Sequence, residues 1–225
     1  MAKKKVLVLG GRGAIGSAIV DHFNELRYEV ISVGRQEFDL TDYSQIENYF
    51  LIMPSNFDIL IHSGGFNVPK TFEDLSDHEI RHSLDANLMG FLKVVRHCLP
   101  HWKEKSAGRV VALSSLYGSF GRRGRLPYVM SKHALNGAVK TLAIELAAFG
   151  VLVNSVSPGY IATELTYRNN QPHEIDKLTA GIPLGRFGDP SEIAKVVEFL
   201  CSDQNTYING HDLVVDGGYS IGGFQ

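Results

Sequence analysis

The feature that most constrains this chain lies at its N-terminus. Lys5–Leu9 (KVLVL), a short continuous apolar run, leads directly into Gly10-Gly11-Arg12-Gly13-Ala14-Ile15-Gly16. Such a run suits a parallel strand buried on both faces. The residues that follow, SAIVDHFNELRY, carry apolar side chains at helical spacing. A strand, a glycine turn and a helix in this order form a cradle for a dinucleotide pyrophosphate. The glycines let the backbone approach the phosphates, and the helix start offers free N–H groups and a partial positive charge.

The rest of the chain repeats the pattern. Strands are expected near 5–10, 29–33, 58–62, 109–114, 151–156 and 211–215, with long helices between most of them. That alternation implies a doubly wound parallel sheet with helices on both faces, a Rossmann-type α/β fold. At 225 residues and 44% hydrophobic content, positions 1–225 suit one NAD(P)-binding domain with a full core. Ligands of such sheets bind beyond the carboxyl ends of the strands, where Gly10–Gly16, His62–Gly65, Ser115 and Pro158–Thr163 all fall.

Tyr128 and Lys132 stand four residues apart, with Ser115 thirteen residues before the tyrosine. On a helix this spacing puts the phenol and the ammonium on one face. Pro127 suits a first helical position, YVMSKHALNGAVKTLAIELAAF is rich in Ala and Leu, and Gly150 can close the helix. A neighbouring cation lowers a phenol's pKa. Bringing it from about 10 to about 7 needs roughly 4 kcal/mol, so a second positive charge is expected near Tyr128. An oxidised nicotinamide would supply it.

Together these residues resemble the short-chain dehydrogenase/reductase family along the whole chain. Asp39-Leu40-Thr41 is similar to the segment bordering the adenine, and His62-Ser63-Gly64-Gly65 takes the place of the family's Asn-Asn-Ala-Gly turn. Asn87, Ser115, Tyr128 and Lys132 match the family's catalytic set, and Ser157-Pro158-Gly159 with Ile161 and Thr163 matches its nicotinamide loop. The tail from IPLGRFGDP to VVDGG is closest to bacterial 3-oxoacyl-thioester reductases. The resemblance implies hydride transfer between a nicotinamide and a ketone or secondary alcohol. Tyr128 would be the acid/base, Lys132 would lower its pKa and hold the ribose, Ser115 would bind the substrate oxygen, and Asn87 would anchor a water. The implied cofactor contacts are Gly10, Arg12, Gly13, Ala14, Ile15, Gly16, Arg35, Asp39, Leu40, Ser63, Gly64, Tyr128, Lys132, Pro158, Gly159, Ile161 and Thr163. A homo-oligomer, tetramer or dimer, is also implied.

Two departures qualify this. Gly10, Gly13 and Gly16, with Ala14 at the usual central glycine, give a spacing found in a sugar-nucleotide-modifying branch. Only Arg35–Phe38 separate the second strand from Asp39, which predicts a trimmed crossover. Cofactor choice follows charge. Gly34 stands where NAD-dependent relatives carry an acid, and Arg12 and Arg35 suit a 2′-phosphate, so NADP(H) is expected over NAD(H), with Glu37 as an alternative partner for the ribose. A sugar-nucleotide oxidoreductase and a non-catalytic dinucleotide sensor are the rival readings. The chain runs only a few residues beyond VDGG, which counts against the former, and the intact Asn87, Ser115, Tyr128 and Lys132 count against the latter.

A net charge of −2 argues against a nucleic-acid surface. No segment approaches a membrane span, and the apolar run in MAKKKVLVLGG is too short for a signal peptide. Cys98 and Cys201 are expected to be reduced in a cytoplasmic protein. His78/His82 and His97/His101 have helical spacing but read as solvated faces, with Pro100 ending the helix of the second pair. No metal is expected, and His62 reads as a wall of the cofactor cleft. Arg122, Arg123 and Arg125 in GRRGR could attract a phosphate, a carboxylate or an acidic carrier, or form a solvated loop or subunit contact. Residues 163–178 read as a mobile substrate lid.

Overall fold

The computed structural model describes residues 3–168 and 172–222. Six strands, β1 (Lys5–Leu9), β2 (Glu29–Val33), β3 (Ile59–His62), β4 (Gly108–Leu113), β5 (Val151–Pro158) and β6 (Asp212–Val215), form one sheet. Their order is β2-β1-β3-β4-β5-β6 and every pairing is parallel. Between them run α1 (Ala14–Glu25), α2 (Tyr43–Ile52), α3 (Asp77–Leu84), α4 (Gly90–Lys105), α5 (Leu126–Leu146), α6 (Glu164–Arg168), α7 (Pro172–Ala180), α8 (Pro190–Cys201) and α9 (Tyr219–Gly222).

The two-sided sheet follows from the alternation of side chains along each strand. Leu7 and Leu9 of β1, Leu60 of β3 and Val110 of β4 face a core built with Phe91, Trp102 and Leu135 from α4 and α5. Val6, Val8, Ile59 and Val111 face the opposite core, with Ile19 and Phe23 of α1 and Ile193 and Val197 of α8. Burial on both faces explains why the strands read as continuous apolar runs. The expected doubly wound α/β fold is therefore the observed one.

The chain steps from β1 outward to β2, and α2 then carries it back across β1 to β3. The strand order thus reverses between β1 and β3, and the crevice at this switch point is where such sheets bind ligands. The shortened crossover is present, with α2 as its helix and β2 as the sheet edge. Phe38 anchors the short link, almost fully buried and edge-on to Tyr49 at 5.0 Å. Asp42 caps α2 by accepting from the Ser44 and Gln45 N–H groups.

Two local expectations change. Pro100 does not end its helix, because α4 continues to Lys105. The proline lies on the exposed side, where its missing N–H leaves a carbonyl to solvent, while Trp102 two residues on is fully buried and donates to the Phe57 carbonyl at 2.8 Å. The histidine pairs are not plain solvated faces either. His97 Nε2 lies 3.2 Å from Glu47 and its ring stacks on Phe50, and His101 lies 3.3 Å from Asp58. His78 and His82 stack on each other, and His82 meets Phe66 edge-on.

The helix carrying Tyr128 starts at Leu126, and a tight turn at Ala147–Phe149 leads to Gly150. Of the expected lid, α6 and α7 are helical, and positions 169–171 at its centre lie outside the described residues. No helix among the described residues is long and apolar enough to cross a membrane, and they contain no cluster of metal-ligating side chains.

Candidate active site

Two cavities adjoin along the carboxyl ends of β1, β3, β4 and β5. The first, about 270 Å³, is lined by Gly10, Arg12, Arg35, Asp39, Leu40 and Ser63, with Gly34, Thr41, Phe66 and His82 among its other walls. The second, about 510 Å³, is lined by Gly13, Ala14, Ile15 and Gly16, by Ser115, Tyr128 and Lys132, and by Pro158, Gly159, Ile161 and Thr163. Gly13, Ser63, Gly64 and Gly65 border both, so the two form one groove across the switch point.

The glycine turn fits a dinucleotide. A Cβ at Gly16 would lie 2.2 Å from the Gly10 carbonyl oxygen, so only glycine lets α1 start so close to the end of β1. Gly13 occupies the N-cap position of α1 with no side-chain cap, and the first turn carries no acid. The first N–H groups of α1 are therefore open to a phosphate.

The catalytic candidates are held from below. Ser115 follows β4, and its hydroxyl accepts from the Tyr117 N–H at 3.2 Å. Lys132 is buried on α5 and donates to the Leu113 carbonyl at 2.7 Å, with Nζ 5.5 Å from the centre of the Tyr128 ring. Burial lowers the lysine's pKa to about 8. Tyr128 departs from expectation. Its pKa is raised, because burial outweighs the lowering by the Ser115 hydroxyl and the Arg125 guanidinium. Lys132 does not supply that lowering, since its ammonium faces the end of β4 and the flat of the ring.

Asn87 is brought close without reaching the groove. It sits fully buried in a single π-helical turn, Asp85–Met89, that joins α3 to α4. Its Oδ1 accepts from the Phe66 N–H at 2.6 Å, and its Nδ2 donates to the Phe66 carbonyl at 2.9 Å and to Ser131 Oγ at 2.7 Å. His62 is likewise no wall of the groove. It is fully buried, pairs with the Asn87 carbonyl at 3.1 Å and stacks on Phe91. Desolvation, reinforced by Lys132, pushes its pKa down to about 3, so it is neutral.

At the end of the groove beside β2, Glu37 pairs with Arg12 and accepts from the Gly34 N–H at 2.7 Å. The stem of Arg12 lies over Gly34, 3.3 Å from where a Cβ would stand. Asp39 accepts from the Thr41 N–H and hydroxyl, both at 2.8 Å, and Arg35 lies 4.0 Å from it.

Sequence reasoning missed two groups. Asp212 on β6 accepts from Ser155 Oγ and Ser157 Oγ, both at 2.8 Å, and from Asn136 Nδ2 at 3.0 Å. Ser157 can also donate to the Ser115 carbonyl, at 3.0 Å, so this network braces the end of β4. Polar residues on β5, a strand buried along nearly its whole length, were its signal. Tyr117 and Tyr160 also line the larger cavity, with hydroxyls 3.4 Å apart, and nothing in their spacing foretold the meeting.

A family profile described as enoyl-(acyl carrier protein) reductase matches residues 14–220. The chain is 30% identical to 3-oxoacyl-(acyl-carrier-protein) reductase FabG of Rickettsia conorii over 232 aligned residues, 96% of each protein. A solved 4-hydroxyisoleucine dehydrogenase complexed with NADH is 29% identical, with a TM-score of 0.92 over 98% of this chain and 100% of that one. ElxO with NADP bound is 27% identical, with a TM-score of 0.87 over 97% of this chain and 99% of that one. The profile match over residues 14–220, together with 30% identity to the Rickettsia conorii reductase along 96% of each protein, makes the chain a member of the short-chain dehydrogenase/reductase family of oxidoreductases.

Proposed function

We propose that the protein is an NADP(H)-dependent oxidoreductase that interconverts a small ketone and a secondary alcohol, with 3-oxoacyl thioesters as the first substrate class to test. The observation that carries the reading is the convergence of Ser115, Tyr128 and Lys132 on one cavity beside the open start of α1. The cofactor, when bound, supplies or accepts the hydride. Tyr128 gives its phenolic proton to the developing alkoxide in reduction and takes it back in oxidation. Ser115 donates to the same oxygen, where charge develops. Lys132 holds the nicotinamide ribose, and its charge favours the phenolate once the cofactor ring adds its own. Asn87 acts as a positioning residue, fixing Phe66 and Ser131 around the lysine.

The preference for NADP(H) rests on Arg12 and Arg35 beside Gly34, a position without a side chain to repel a 2′-phosphate. The 3-oxoacyl thioester is suggested by the name of the Rickettsia conorii relative. Exposed Met130 and Ile144 on α5 and Phe199 on α8 support a homo-oligomer. The cytoplasm suits a protein whose two cysteines are both free and buried.

The test is consumption of NADPH, and separately NADH, with an acetoacetyl thioester by the wild type and Tyr128→Phe. Turnover that disappears in the variant while cofactor binding persists supports the reading. Turnover retained by the variant removes Tyr128 from the mechanism. Cofactor binding without turnover moves the search to other small ketones.

A further inference from the structure

The loop Gly121–Arg125 carries three arginines that hydride transfer does not use, and they divide between two faces. Arg122 and Arg125 line the cavity that holds Ser115 and Tyr128, whereas Arg123 and a second edge of Arg122 line a neighbouring groove with Lys70, Phe72 and Val129. The reaction cavity thus presents three cations, Arg122, Arg125 and Lys132, and no carboxylate among its described lining residues. Neither Arg122 nor Arg125 forms an ion pair with any described residue.

The loop is braced and does not wave in solvent. Arg125 Nη1 donates to Asn67 Oδ1 at 3.2 Å, the Lys70 N–H donates to the Gly124 carbonyl at 3.1 Å, and the Arg125 N–H closes a turn on the Arg122 carbonyl at 3.2 Å. Asn67 itself lines the cavity. Arg125 is the N-cap residue of α5, three positions before Tyr128, so its guanidinium stands at the same end of the helix as the phenol. It is near enough to favour the phenolate. The first turn of α5 has neither a side-chain cap nor an acid, so its backbone dipole adds to the positive field. Ile15, Leu113, Ile161 and Leu178 supply apolar wall, where a charge–charge contact is stronger than in water.

From this juxtaposition we infer that the substrate is a small oxo or hydroxy acid whose carboxylate is held by Arg125 and Arg122, while its carbonyl or carbinol carbon lies at Ser115 and Tyr128. The inference rests on the hydride-transfer reading of the same site. Because Arg125 is less than one helical turn from Tyr128, the anion belongs to the reacting molecule itself and not to the far end of a carrier arm. A planar guanidinium takes a carboxylate in a two-point grip, which fixes the orientation of the substrate as well as its affinity.

The test separates anion binding from turnover. Succinate, its neutral dimethyl ester and inorganic phosphate are titrated calorimetrically into the wild type, Arg125→Gln, Arg122→Gln, Arg123→Gln and Arg125→Lys. Succinate is expected to bind the wild type and to lose about tenfold or more in affinity in Arg125→Gln and Arg122→Gln. Arg123→Gln stays within about twofold, and Arg125→Lys recovers part of the loss. In turnover, the ratio of kcat/KM for a 3-oxo acid over its methyl ester falls by about 10- to 100-fold in Arg125→Gln. Succinate binding that is absent from the wild type, or equal in all variants, overturns the inference, as does phosphate bound more tightly than succinate by the same arginines. Arginine-dependent succinate binding without turnover of any ketone would keep the anion site and reject the oxidoreductase reading. Turnover of ketones with no arginine-dependent preference for acids would do the reverse.

Discussion

Lys132 Nζ lies 5.5 Å from the centre of the Tyr128 ring, yet donates its hydrogen bond to the Leu113 carbonyl at 2.7 Å. The ammonium thus meets the phenol through its π-face, and the phenol oxygen is left to the Ser115 hydroxyl. Both groups are shifted by burial toward their neutral forms, the lysine down and the tyrosine up.

Removing the buried lysine should stabilise the fold at low pH. Its pKa is about 8 in the folded chain against the usual 10.5, so between those values the unfolded chain holds more protons and stability rises with pH. Below about pH 8 the whole penalty is present, about 3 kcal/mol. Lys132→Met relieves it and forfeits a hydrogen bond of about 1–2 kcal/mol, a net gain of about 1–2 kcal/mol at pH 6. Denaturant melts at pH 6 and pH 10 check this, and a gain that does not shrink at the higher pH would sink it.

Ser115→Ala should move the tyrosine's titration upward, since the Ser115 hydroxyl lowers that pKa in the native site. The acid limb of kcat/KM for alcohol oxidation then shifts to higher pH, in addition to a drop in rate of about 10²–10³-fold. An acid limb in the same place as the wild type's would mean that the serine does not tune the phenol.

Glu37→Gln tests the end of the groove beside β2. Glu37 neutralises Arg12 and also holds the Gly34 N–H, so a 2′-phosphate must compete with it for the guanidinium. The substitution should raise the NADPH-over-NADH affinity ratio by about tenfold, and Arg12→Gln should lower it. Fluorescence titration of both cofactors gives the ratio, and an unchanged value in both variants would exclude this pair from cofactor choice.

Gly16→Ala should damage the cradle through backbone alone. The added methyl would stand 2.2 Å from the Gly10 carbonyl and 2.9 Å from Gly11 Cα, neither of which is a flexible side chain. We expect a loss of about 1–3 kcal/mol in stability and weakened binding of either cofactor. Wild-type affinity would show that α1 can shift away from the turn without consequence.

The amino-acid sequence by itself determined the sheet, the cradle and the candidate trio. Runs such as KVLVL and RVVAL report burial on two faces, and Gly16 is demanded by local sterics that any chain would feel. Ser115, Tyr128 and Lys132 are linked by one strand end and one helix, so their meeting needs little long-range information. Tertiary structure decided what depends on several distant elements. Pro100 is carried within α4 because Trp102 is buried beyond it, against a local preference for breaking the helix. Asn87 and His62 are drawn beneath the groove by Phe66, Ser131 and Phe91, and Asp212 gathers Asn136, Ser155 and Ser157 behind Ser115. The direction of the Tyr128 shift also lay beyond the sequence. A spacing of four residues places a cation nearby, but desolvation and the competing Leu113 carbonyl, set by the packed fold, determine whether its charge reaches the phenol.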